Sequence, residues 1–139
     1  MSVEALDHAS SAAVLLRKNR VLNDKIRAAL DCDGETASRG LVETLRFMHL
    51  VSLTQSVLTP PQRVDLVWHE FILFTRTYER FCKDTFGRFV HHTPGGTNEA
   101  NRKQFQKSIR LYREHFGEPD PLWWYNAPPY PACGACETF

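Results

Sequence analysis

The stretch from Val64 to Pro94, VDLVWHEFILFTRTYERFCKDTFGRFVHHTP, constrains this chain most. Val64, Val67, Phe71, Phe74, Tyr78, Phe81 and Thr85 follow alternating steps of three and four, the period of one helix face. Trp68, Ile72 and Cys82 widen that face into a stripe too broad for a surface helix. The pattern predicts one long helix over about 61–86, contacted by several neighbours and central to the fold. Pro60 and Pro61 suit its first turn, where a missing N–H costs nothing, and Gly87 is a natural terminator.

Helical periods recur on both sides. Leu6, Ala9, Ala13 and Leu16 predict a helix over 3–17 capped by Ser2. Asn23 caps a short helix through Ile26, Ala29 and Leu30 that stops near Asp33-Gly34. Thr36 or Ser38 starts another through Leu41, Leu45, Met48 and Val51. A last one, over 98–116, carries Phe105, Ile109, Tyr112 and Phe116 on one face. Thr93-Pro94-Gly95-Gly96 is a break between them. The expected fold is therefore all-α, about five helices around 61–86, in one domain spanning 1–139. The C-terminal segment 118–139 has too many prolines for a helix and too many aromatics for disorder. It reads as an ordered extended arm across the helices, with at least one of Trp123 and Trp124 buried.

Charge excludes several classes of function. Seventeen basic residues stand against 16 acidic ones, with no basic block, so neither nucleic acid nor an anionic membrane surface is an expected partner. No apolar run approaches the ~18 residues of a membrane span, and the polar start MSVEALDHAS lacks the features of a secretion signal. A cytoplasmic, reducing location and a protein partner are the expectations. Of the four cysteines, Cys133 and Cys136 form a CxxC pair, which in such a compartment reads first as metal-binding or redox-active.

Two constellations carry candidate chemistry. Cys82, Cys133 and Cys136 with His91 or His92 supply the three thiolates and one imidazole of a closed, tetrahedral zinc site. Such a site would pin the arm to the helices and suit a binding or adaptor module. Alternatively, Asp65 and His69, at i and i+4, share one side of a helix, where the carboxylate can orient the imidazole or support a metal. Joined by His91 or His92 in a cleft, they would form an open zinc or iron site of a metal-dependent enzyme or redox protein. His69 and Cys82, thirteen positions apart, would be about 20 Å apart on one straight helix and could not share an ion. Which residues meet discriminates the readings: Cys82 with the CxxC turn, or His69 with a histidine of the pair. No phosphate loop, nucleophile elbow or HExxH motif is present.

Asp65, Trp68, His69, Leu73, Tyr78, Cys82, Phe86 and Gly87, flanked by LRFMHLVSL and YREHFGEPDPLWW, resemble the glycine-rich domain-containing protein-like family over roughly 36–124. The resemblance implies a helical body. Its bacterial relatives often end in a Cys/Gly-rich tail, for which this chain has the single CGAC.

Overall fold

The computed structural model describes residues 6–93 and 95–125. Within them the chain is all-α, with no strand. Seven helices follow in order: α1 (His8–Lys18), α2 (Arg20–Leu30), α3 (Gly34–Leu53), α4 (Gln62–Ile72), α5 (Thr75–Phe86), α6 (Asn98–Phe116) and α7 (Pro121–Trp124). Local chemistry sets several of the ends. The carboxylates of Asp7, Asp33 and Asp120 and the hydroxyl of Thr97 accept backbone N–H bonds at the starts of α1, α3, α7 and α6. Gly87 ends α5 in the left-handed region, φ 76°. Asp7 and Asp33 thus replace the expected caps in the first and third helices, and Ser2 lies outside the described residues.

The expected helix over 61–86 is two helices, α4 and α5, that turn at Leu73 and Phe74. Neither glycine nor proline marks this break, so nothing local announces it. Its reason is tertiary. On one straight helix Trp68 and Tyr78 would lie about 15 Å apart along the axis, yet the Trp68 indole N–H donates to the Tyr78 hydroxyl at 3.0 Å. The turn also sets the Phe71 and Tyr78 rings edge to face at 5.0 Å. The central element is instead α3, 20 residues long, which packs against α1, α2, α4 and α6. Its core residues include Leu41, Leu45, Phe47, Met48 and Leu50.

The start of the expected arm is a short helix, α7, which tolerates Pro121 because it stands in the first turn. Trp123 and Trp124 are both buried. The terminal ring carbons of Trp123 lie against Gly40, where a Cβ would come within 2.9 Å of them, so α3 needs glycine there. Trp124 packs on Tyr112 at 4.7 Å and donates its indole N–H to Glu43 at 2.9 Å. Residues 126–139, including the CGAC motif, lie outside the described residues.

The first turn of α1 buries His8 against His49 of α3, with ring nitrogens 3.1 Å apart and Phe116 edge-on to His8 at 5.2 Å. Burial, then the nearby His49 and Arg46, lower the His8 pKa from 6.5 to about 4. The unfolded chain therefore binds this proton more readily than the folded one. Stability is fully present above pH 6.5 and falls as the pH drops from 6.5 towards 4, by up to about 3 kcal/mol. Urea midpoints measured across that window should decline steeply in the natural protein and less steeply in a His8→Gln variant.

Candidate functional site

Helix α4 and the segment after α5 build the one place where the described residues gather three metal-ligating side chains: Asp65, His69 and His92, with one donor atom from each lying within 4.8 Å of the others. Asp65 stands in the first turn of α4, where the positive end of the helix favours a carboxylate. It is fully buried. One turn on, His69 Nδ1 lies 3.6 Å from Asp65 Oδ2, and its side chain is 31% exposed. From across the break, His92 Nε2 reaches Asp65 Oδ1 at 2.8 Å, with 10% exposure. The imidazoles of His69 and His92 face one another at 4.6 Å. The carboxylate thus sits at the base of the cluster, and His69 forms its rim towards solvent.

Burial is the main cause that lowers the His69 pKa, and His92 adds to it against the opposing pull of Asp65. A neutral imidazole is the form that ligates metals. With ligand distances of about 2.1 Å, donor atoms around one ion are separated by about 3.0 Å in octahedral and 3.4 Å in tetrahedral geometry. The 2.8 Å from His92 to one carboxylate oxygen and the 3.6 Å from His69 to the other lie close to those edges.

Two devices aim His92. Residues 88–93 belong to no helix or strand. In this segment His91 and Thr93 face a pocket of about 340 Å³ that Trp68, Arg88 and Phe89 also line, while His92 turns to Asp65. Beyond His92, the fully buried Asn101 accepts from the Gly96 N–H at 3.0 Å and donates to the Gly96 carbonyl at 3.2 Å, fastening the loop to the start of α6. Trp68 closes one side, its indole packed on the His92 ring at 4.3 Å.

Of the expected four-ligand zinc set, the described residues hold Cys82 and the His91–His92 pair, and His92 pairs with Asp65. Cys82 lies on the inner face of α5, fully buried, with the Tyr78 hydroxyl and Val90 backbone beside it. Burial pushes its thiol pKa up. His91 is exposed and stacks edge-on against Phe89 at 4.7 Å. Cys133 and Cys136 lie outside the described residues. The Asp65–His69 spacing was readable as an i,i+4 pair, and the histidine pair was visible as a candidate third member. The choice of His92 over His91 was not, because it depends on which side of residues 88–93 meets α4.

Fold and cluster together define an all-helical protein with a two-histidine, one-carboxylate group at the junction of α4 and α5. The chain belongs to the UCP032817-like family, whose model matches residues 15–117 and so includes Asp65, His69 and His92. That match overturns the resemblance to the glycine-rich domain-containing protein-like family. The residues that suggested it mostly serve packing and capping, as Trp68, Tyr78 and Cys82 are core residues and Gly87 ends a helix. No curated protein and no solved structure matches the chain. No helix among the described residues is long and apolar enough to cross a membrane.

Proposed function

We propose that the chain is a small metal-dependent enzyme in which Asp65, His69 and His92 hold one zinc or iron(II) ion. The observation that carries this reading is the convergence of two imidazoles and one buried carboxylate, with one donor atom from each within 4.8 Å of the others. Two histidines and one carboxylate are the donor set of catalytic zinc sites and of non-haem iron sites, and both leave positions open for water or substrate. When bound, the ion would supply Lewis acidity and an activated water. The protein's part is visible in the side chains. Asp65, held at the α4 N-terminus, supplies the negative charge. His92 is fixed by Trp68 and by the fastened loop. His69, the most exposed of the three, leaves the site open on its own side. An open three-residue site favours this reading over a closed structural zinc site, which needs four protein ligands.

Metal analysis of protein purified without chelator tests the reading. About one ion per chain is expected, the stoichiometry of a mononuclear site. Asp65→Ala, His69→Ala and His92→Ala should each lose it while remaining helical, and a variant with Cys133 and Cys136 both changed to serine should keep it. The absence of a stoichiometric ion from the natural protein, or its retention in all three alanine variants, would remove the proposal. Loss in the double-serine variant alone would return the metal to the cysteine set.

A further inference from the structure

We propose that Tyr78 is a positioning residue for the metal centre, acting through the backbone that carries His92; the inference rests on the metal reading above. The Tyr78 hydroxyl donates to the Val90 carbonyl, two residues before His92, and accepts from the Trp68 indole N–H at 3.0 Å. The same indole packs on the His92 ring at 4.3 Å. One side chain therefore ties the segment's backbone to the residue that buttresses the imidazole at its end. The tie matters because residues 88–93 lie outside every helix and strand. Val90 is buried, 1% exposed, so a carbonyl that lost the Tyr78 hydroxyl would have to shift to find another donor. Shifting it moves His92.

The ring itself is held independently. Phe71 and Phe89 pack edge-on against it at 5.0 and 5.4 Å, so removal of the oxygen alone leaves the packing in place. Positioning partners of metal ligands characteristically influence affinity by about 10–100-fold. For a residue acting through backbone, the low end, about tenfold, is expected.

The test is a titration of apo protein with cobalt(II), following the visible absorption bands that report ligand geometry, in the natural protein and in Tyr78→Phe. The expected result is a natural protein that binds with a defined spectrum, and a folded Tyr78→Phe that binds about tenfold more weakly with shifted bands. A purely structural role would lower thermal stability and leave the spectrum and affinity of the folded fraction unchanged, and that result would overturn the inference while leaving the metal site intact. A natural protein that binds no cobalt would overturn both. Should Tyr78→Phe not fold, Trp68→Phe removes the indole donor that orients the hydroxyl. It should weaken binding in the same direction, and unchanged binding there would equally count against the proposal.

Discussion

Replacing Glu43 with alanine should cost about 3–5 kcal/mol of folding stability, the effect of taking one partner from a buried ionic network. Glu43 sits in the middle of α3 with its side chain fully buried. One carboxylate oxygen accepts from the Tyr112 hydroxyl at 2.7 Å and the Trp124 indole at 2.9 Å. The other faces Arg39 at 2.8 Å and Arg46 at 3.3 Å. Four donors from α3, α6 and α7 meet on one side chain, which is how the C-terminal tryptophans are fastened to the body. Without it, the buried Tyr112 and Trp124 donors would remain in a low-dielectric interior with less to bond, although the Tyr112 hydroxyl still accepts from Arg46 at 2.8 Å. Urea denaturation of Glu43→Ala measures the cost. A loss below about 1 kcal/mol would show that water replaces the carboxylate and that the network is not a clamp.

Trp68→Ala should have a comparable cost to the fold, about 3–5 kcal/mol, and should disturb the candidate site as well. The indole is 3% exposed, meets Phe47 edge-on at 5.3 Å, donates to Tyr78 and backs the His92 ring. Its removal opens a cavity where α3, α4 and the His92 segment meet. Denaturation and metal content measured on the same samples separate the two effects. Protein that is destabilised yet retains the full ion content when folded would mean that His92 holds its place without the indole.

The Asp65–His69 pair and Tyr78 show how far sequence reached towards the site. An i,i+4 carboxylate and histidine on one helix face is a local fact, and the structure keeps it. The third member lies 23 positions beyond His69 and is chosen by two tertiary events, the turn between α4 and α5 and the direction from which residues 88–93 cross α4. Neither leaves a local mark. The break at Leu73 and Phe74 carries no glycine, proline or side-chain cap, so periodicity ran through it and predicted one helix. Cys82 read equally well as a ligand or as a small apolar residue, and in the fold it is buried beside Tyr78.

What the sequence alone determined is the part governed by short-range physics. Helical spacing of apolar residues made the chain all-α. Gly87 set its helix end locally, because glycine reaches the left-handed region at little cost. The paired tryptophans after Pro121 were readable as buried anchors because that much aromatic surface is costly to leave in water. Tertiary structure decided which helix is central, since burial around α3 is a sum over its neighbours and not a property of its own residues. It also decided which histidine meets Asp65, because neighbouring side chains of residues 88–93 meet different surroundings and only packing selects which of them reaches α4.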